Sequence, residues 1–175
     1  MAVSVLAADG LMRLSSLIRD TTAGTSQRIN FGSGVVPTLN ISLTYGTGTN
    51  QANKLYCAKR TLAATTYDLL DLAGGLTDGL GNVLTFTKIK LALVAIVTPV
   101  VATKSLRVGP QNQSNPFLGG WGGTAATDYK TVTNWDIVNY EPTTGYTVTA
   151  GTGDIFPIYN PSAISVDYWL LLAGV

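Results

Sequence analysis

Residues 38–45 read TLNISLTY, and apolar and polar side chains alternate along them without a break. A period of two is typical of a β-strand with one face buried and the other exposed to solvent. The stretch therefore predicts a half-buried strand. Its apolar side carries Leu39, Ile41, Leu43 and Tyr45, and its polar side carries Asn40, Ser42 and Thr44.

Further strand-like segments follow at short intervals, and Gly, Pro or Asn bounds each of them. Short strands with turn signals at this spacing are typical of a sandwich or a barrel. We predict an all-β fold, a single β-sandwich that is jelly-roll-like, over residues 35–175. The predicted strands are 55–62, 65–72, 83–98 (one long strand or two with a bulge), 106–108, 131–138, 145–149, 154–159 and 163–172. The predicted core holds Leu39, Ile41, Leu43, Phe86, Ile89, Leu91, Leu93, Val148, Ile155, Ile158 and Tyr168.

The charge content limits the kinds of partner. Only 12% of the residues are charged while 46% are hydrophobic, and the formal net charge is +1. A chain without a basic excess has no long-range field to attract phosphate, which argues against a nucleic-acid partner. Low charge also does little to keep copies apart. We therefore predict a homo-oligomer.

The N-terminal 34 residues differ in composition from the rest. Leu11, Leu14 and Leu17 have helical spacing, which predicts a short helix or an arm, and residues 21–34 are mostly small and polar. Two interpretations stand side by side. Residues 1–34 form an N-terminal arm or extension that orders on a partner, or they supply a strand or helix to the core of the domain.

Neither a secretion signal nor a membrane span is expected. The first ten residues have no basic region followed by a long apolar core. The apolar run 91–101 is far shorter than the roughly 20 residues that a transmembrane helix needs. We expect the protein to stay where it is made, without a membrane partner.

The sequence has few of the residue types that catalysis or metal binding usually requires. The chain has no histidine and one cysteine, Cys57, so the commonest general base and the usual zinc ligands are missing. Its single glutamate, Glu141, precedes a proline in a turn-like segment. Asp68 and Asp71 are expected on opposite faces of a strand and exposed to solvent. We therefore predict no enzyme, no cofactor and no metal site, with 77–82 and 151–154 as turns.

The most distinctive loop spans residues 109–127 and is rich in glycine and asparagine. Trp121 is flanked by Gly119–Gly120 and Gly122–Gly123, which would let a large ring protrude into a pocket of another protein. The predicted partner-binding residues are Leu11, Leu14, Leu17, Arg19, Arg28, Phe31, Phe117 and Trp121.

From Leu72 onward the chain resembles small structural proteins of tailed bacteriophages and is similar to their head decoration (cement) proteins. The resemblance covers about three fifths of the chain and rests on residues 75–78 with 84–90, on 106–109 and on 145–154. Pro110 departs from it, because a second glycine often follows the Leu-x-Val-Gly strand in similar proteins. The resemblance implies a β-sandwich bound in many copies to a capsid shell as a homotrimer.

The sequence therefore predicts one of two functions. The first is a virion structural protein, a capsid decoration or cement protein on the outside of a phage head, made in the host cytoplasm and bound to the major capsid protein. The alternative is a phage tail or fibre protein that uses exposed aromatic side chains to recognise host-surface carbohydrate.

Overall fold

The computed structural model describes residues 2–6, 13–17, 26–31, 39–97, 104–119 and 127–175, with side chains from residue 41 onward. The described residues form strands and turns without a helix. The strands are β1 (Ala2–Leu6), β2 (Arg13–Leu17), β3 (Ser26–Phe31), β4 (Leu39–Tyr45), β5 (Gln51–Ala52), β6 (Lys54–Leu62), β7 (Tyr67–Asp71), β8 (Leu76–Thr77), β9 (Val83–Leu84), β10 (Lys88–Ile96), β11 (Leu106–Val108), β12 (Lys130–Val132), β13 (Trp135–Tyr140), β14 (Tyr146–Thr147), β15 (Ile155–Tyr159) and β16 (Val166–Gly174).

A central antiparallel sheet has the strand order β13-β10-β16-β6, with β14 paired to the start of β10. Strand β16 pairs with β6 from Lys54↔Gly174 to Leu62↔Val166, and with β10 on its other side. Nearly all of β10 is buried. Because successive side chains of a strand point to opposite faces, this pattern requires both faces of the sheet to be covered.

A second antiparallel sheet, with the order β12-β11-β15-β7, packs on one face of the central sheet. The two sheets enclose the main core, to which each contributes alternate side chains. Phe117 and Phe156 stack there with ring centroids 6.2 Å apart. Other fully buried members of this core are Leu72, Ile89, Leu106, Val108, Ile158, Leu170 and Tyr168.

A smaller sheet, with the order β3-β4-β5, covers part of the opposite face of the central sheet. Strand β4 contributes Ile41 and Leu43, which are 3% and 2% exposed. They belong to a second apolar cluster together with Leu91, Leu93 and Leu171 of the central sheet. The uninterrupted apolar run at the end of β10 follows from this third layer.

The all-β sandwich is confirmed, and most predicted strands lie within a few residues of their predicted bounds. The pairings do not establish jelly-roll connectivity, which stays a prediction. The helix expected around Leu11, Leu14 and Leu17 is not formed over Arg13–Leu17, because that segment is a strand whose backbone pairs with β1. Strand β3 precedes the predicted boundary at residue 35 and pairs with β4 from Ser26↔Thr44 to Phe31↔Leu39.

The predicted core is largely confirmed among the side chains that the structure describes. Ile155 differs, since it is only partly buried and lies on the outer face of the second sheet, between the inward Asp154 and Phe156. Tyr45 also differs from its neighbours in β4, because it is 58% exposed. Leu39 lies outside the described side chains.

Candidate interaction surface

The outer face of the second sheet carries a row of large side chains that crosses its strands. The register pairs Tyr67 of β7 with Tyr159 of β15, Tyr159 with Arg107 of β11, and Arg107 with Thr131 of β12. Residues paired in this way project from the same face of a sheet. Their inward neighbours on these strands are buried in the core, so the row faces outward.

Ring contacts organise this row. The rings of Tyr67 and Tyr159 are in contact, with centroids 4.5 Å apart and planes tilted by 30°. The Arg107 guanidinium lies 4.7 Å from the centroid of the Tyr129 ring, a cation–π distance. Each pair limits the rotamers that its members can adopt, which lowers the entropy that they would lose on binding.

We call Tyr67, Leu69, Arg107, Tyr129 and Tyr159 the tyrosine face. Leu69 lies next to Tyr67 along the outward side of β7 and is 49% exposed, and the two tyrosines Tyr67 and Tyr129 are 40% and 43% exposed. Tyrosine and arginine are enriched where proteins contact each other, because each combines a large apolar area with a polar end. The composition of this face is therefore typical of a protein-binding surface.

A partly buried polar network holds β7 against the central sheet directly beneath the tyrosine face. Arg60 of β6 donates two hydrogen bonds to the Asp68 carboxylate, from Nε at 2.5 Å and from a terminal nitrogen at 3.0 Å. The Tyr168 hydroxyl donates to the same carboxylate at 2.5 Å. Arg60 also donates to the Tyr56 hydroxyl at 3.0 Å. These bonds connect β7 to β6 and β16 and fix the strand that displays Tyr67 and Leu69.

The expectation that Asp68 faces solvent is corrected by this network. The Asp68 side chain is 14% exposed and points into the sandwich, whereas Asp71 is only partly buried and bonds the backbone N–H of Ala73. The hydrogen bond to Asp68 raises the pKa of Arg60, and burial together with the Asp68 charge raises the pKa of Tyr168. Both groups therefore keep their protons at neutral pH.

The other polar residues singled out in the sequence have local structural roles. Glu141 accepts hydrogen bonds from the backbone of Thr143 and Thr144, which stabilises the turn that follows it. Asp154 accepts one from Gly151 at 2.5 Å and closes the predicted turn. Within the described ranges no cluster of three or more acidic, cysteine or histidine residues has the geometry to hold a metal ion.

The predicted partner-binding residues are distributed as follows. Phe117 is fully buried and stacks on Phe156, so its ring belongs to the core and is not offered to a partner. Its loop position had suggested exposure, but Phe117 donates its backbone N–H to Ile155, which draws the loop against β15. Leu14 and Leu17 lie in β2, and Arg28 and Phe31 lie in β3, with side chains outside the described part. Leu11, Arg19 and Trp121 lie outside the described residues.

The tyrosine face was missed at the level of sequence, although a signal for it exists. Strands β7 and β15, which read YDLLD and IFPIY, carry apolar or aromatic side chains on both of their faces. Tyr67 and Leu69 alternate with the inward Asp68 and Leu70. A strand of a two-layer sandwich with apolar residues on both faces predicts an outer surface that another molecule covers.

Comparison with protein-family models, with curated proteins and with solved structures found no match. Among the described residues, no helix has the length and apolar character that crossing a membrane requires.

Proposed function

We propose that this chain is a structural protein of a phage virion, one that decorates the head shell in many copies and acts through protein–protein contacts. The observation that supports this proposal most strongly is the tyrosine face. Four of its five side chains lie on β7, β11 and β15, and Tyr129 directly precedes β12. A partly buried network and two ring contacts hold them in place. A rigid, aromatic and partly apolar face suits contact with another protein.

The size of the face supports assembly in many copies rather than tight pairwise binding. Standard protein interfaces use about 20–30 residues on each side. A face of five large side chains gives a weak contact unless further contacts are made at the same time. A shell component gains such contacts from its neighbours and from the capsid surface, so modest contacts add to stable attachment. In this proposal the chain attaches to the major capsid protein and forms a homotrimer.

Charge on the face favours a protein over a nucleic acid as the partner. Arg107 is the one cation of the tyrosine face, and its guanidinium is already placed over the Tyr129 ring. A phosphate backbone would require several basic groups in a row. The alternative, a tail or fibre protein that recognises carbohydrate, would use the same tyrosines. The mutual packing of Tyr67 and Tyr159 leaves less ring surface for a sugar to stack on.

The first test locates the chain on purified virions by electron cryomicroscopy. Hundreds of copies on the outside of the head are expected. A few copies at the tail would overturn the decoration proposal in favour of the carbohydrate-binding alternative.

The second test asks whether the tyrosine face mediates attachment. The Tyr67→Ser, Leu69→Ser double variant is mixed with particles that lack the chain, and co-sedimentation is measured. Attachment should fall by at least about tenfold, since two exposed apolar contacts are lost. Tyr140→Ser is the matched control, because Tyr140 is 46% exposed on β13 of the other sheet. Equal attachment of the double variant and the control, with unchanged melting temperatures, would contradict the role of this face.

A further inference from the structure

The hairpin formed by β8 and β9 is braced by one carboxylate. Asp78 accepts hydrogen bonds from the backbone N–H groups of Leu80 and Asn82, both at 2.8 Å, and from the Asn82 amide at 3.1 Å. Backbone bonds from Asp78 to Asn82 and from Gly81 to Asp78 close the same turn. Gly81 has a φ of +87°, which favours glycine. The turn is therefore held in one conformation before any partner binds.

This braced turn displays aliphatic side chains to solvent. Leu80 is 72% exposed and Val83 is 65% exposed, whereas Leu76 and Leu84 at the base of the hairpin are buried in the main core. We call residues 77–83 the hairpin tip. Isolated exposed apolar residues are common, but two of them on a turn that is fixed by its own hydrogen bonds form a convex, preorganised contact element.

The charge near the hairpin tip discriminates between partners. Residues 72–87 contain one acidic residue, Asp78, and no lysine or arginine. The hydrogen bonds from Asn82 lower the pKa of Asp78, so its carboxylate is ionised at neutral pH. An anionic lipid surface would repel this tip. A surface that combines apolar side chains with a cation would attract it.

The tyrosine face has this combination. Leu69 and Tyr67 are exposed there, Tyr159 and Arg107 are partly buried, and among the described residues Arg107 forms no ion pair. Asp78 likewise forms no ion pair within the described part of the chain. The hairpin tip therefore presents fixed aliphatic side chains and a negative charge, and the tyrosine face presents aromatic side chains with the positive charge of Arg107. Asp71, which follows Leu69 on the outward side of β7, accepts a hydrogen bond from the backbone N–H of Ala73 in its own turn.

We propose that the hairpin tip of one copy docks on the tyrosine face of a second copy of this chain. The inference rests on the proposed function and narrows it: the tyrosine face contacts a second copy, and loss of the face lowers attachment to the shell because the copies then no longer attach together. The tip and the face are different surfaces, so the contact is heterologous. Repetition of a heterologous contact closes a ring when the rotation between copies permits it, and a trimer is such a ring.

The experiment uses analytical ultracentrifugation of the full chain over a range of concentrations up to about 1 mM, where contacts of this small size become populated. The wild-type chain should associate as concentration rises. Leu80→Asp places a carboxylate in the apolar contact of the tip, and Leu69→Asp places one in that of the face. Each variant should therefore remain monomeric. Tyr140→Asp is the control for an added carboxylate at another exposed site, and it should associate like the wild type.

A mixing experiment distinguishes a heterologous contact from any other. Leu80→Asp keeps an intact face and Leu69→Asp keeps an intact tip, so their equimolar mixture should form a one-to-one dimer that grows no further. A mixture that stays monomeric, with both variants folded by circular dichroism, would overturn the proposal. A wild-type chain that stays monomeric at the highest concentration would overturn it as well.

Two further outcomes separate this inference from the proposed function. Binding of the wild-type chain to phosphatidylcholine vesicles that Leu80→Asp abolishes would assign the tip to a lipid surface and contradict docking on a second copy. The second outcome is that the wild-type chain associates as expected while the variant Tyr67→Ser, Leu69→Ser attaches to particles normally. That pair of results would support this inference and contradict the proposed role of the face in attachment.

Discussion

At the scale of single residues, the environment of Cys57 sets its reactivity. Cys57 lies on β6 and packs, half-buried, against the second apolar cluster, which includes Leu55 and Leu171. Removal of water from around the thiol disfavours the thiolate, so burial raises the pKa of Cys57 from 9.0 to about 11. The sequence-based interpretation of Cys57 as a small apolar residue agrees with this position.

We predict that Cys57 reacts slowly with a disulfide reagent in the folded protein. At pH 8 a thiol of pKa about 11 has roughly one hundredth of the thiolate of a thiol of pKa 9.0, and the thiolate is the attacking species. The rate at pH 8, followed by absorbance, should therefore be about 100-fold lower in buffer than in concentrated urea. Equal rates in the two solvents would contradict the burial of the thiol.

The same shift has a defined effect on stability. The folded state holds the thiol proton more tightly than the unfolded state, so Cys57 contributes stability that is complete below about pH 9. That contribution is lost as pH rises from about 9 to about 11. Cys57→Ala removes the titrating group, so the variant should lose less stability than the wild type over this interval.

Lys90 shows where residue-level prediction from sequence fails. A lysine between Ile89 and Leu91 is expected to point to solvent, yet Lys90 is 1% exposed. It lies at an irregularity of register in β10 and donates a hydrogen bond to the carbonyl of Gly48, in the loop between β4 and β5. Burial lowers its pKa. The loop that covers it comes from 42 positions earlier in the chain, and no local pattern encodes that contact.

At the scale of elements, the Arg60–Asp68–Tyr168 network joins the two sheets through β7. We predict that Asp68→Asn lowers the free energy of unfolding by about 2 kcal/mol, because Arg60 and Tyr168 would then face a neutral acceptor in a mostly buried site. The melting temperature should fall by roughly 4–8 °C, as measured by calorimetry.

The control for this variant is Asp136→Asn. Asp136 pairs with Lys130 at 3.0 Å, but both side chains are more than one third exposed. Solvent and salt screen such a pair, so its loss should cost about 0–1 kcal/mol. Equal melting temperatures for the two variants would show that the Asp68 network adds no more stability than a surface ion pair.

The strands themselves could be predicted, and their inward faces could be predicted in part. Alternation located β4, and turn residues separated most of the others, because both signals are local. Asp68 was assigned to the wrong face, since its partners on β6 and β16 are fixed by tertiary packing. The tyrosine face depends on the register between β7, β15 and β11, which local sequence does not specify.

At the scale of the whole molecule, the role of the N-terminal residues can be tested by truncation. Strand β3 pairs with β4 over six residues, and β4 covers the second apolar cluster. We predict that deletion of residues 1–34 lowers the melting temperature by at least roughly 5 °C, because β4 loses a hydrogen-bonded neighbour. An unchanged melting temperature would support the alternative, a partner-bound arm that is independent of the domain.

A shorter deletion provides the control. Removal of residues 1–17 eliminates β1 and β2, which pair with each other, and leaves the pairing of β3 with β4 intact. This variant should retain more of the wild-type melting temperature than the longer deletion. If the shorter deletion lowers the melting temperature as much as the longer one does, the main stabilising contact lies in the hairpin of β1 and β2.

The position of β16 in the central sheet has a consequence for biosynthesis. Strand β16 comes after all the other described strands along the chain, yet it lies between β10 and β6 and is the only described strand that joins them. Its pairs with β6 connect residues more than 100 positions apart. While the ribosome is still adding residues before Val166, the apolar strand β10 has no partner on that side. We expect the nascent chain to be prone to aggregation through this strand until synthesis has passed β16, and therefore to bind chaperones that recognise exposed apolar segments.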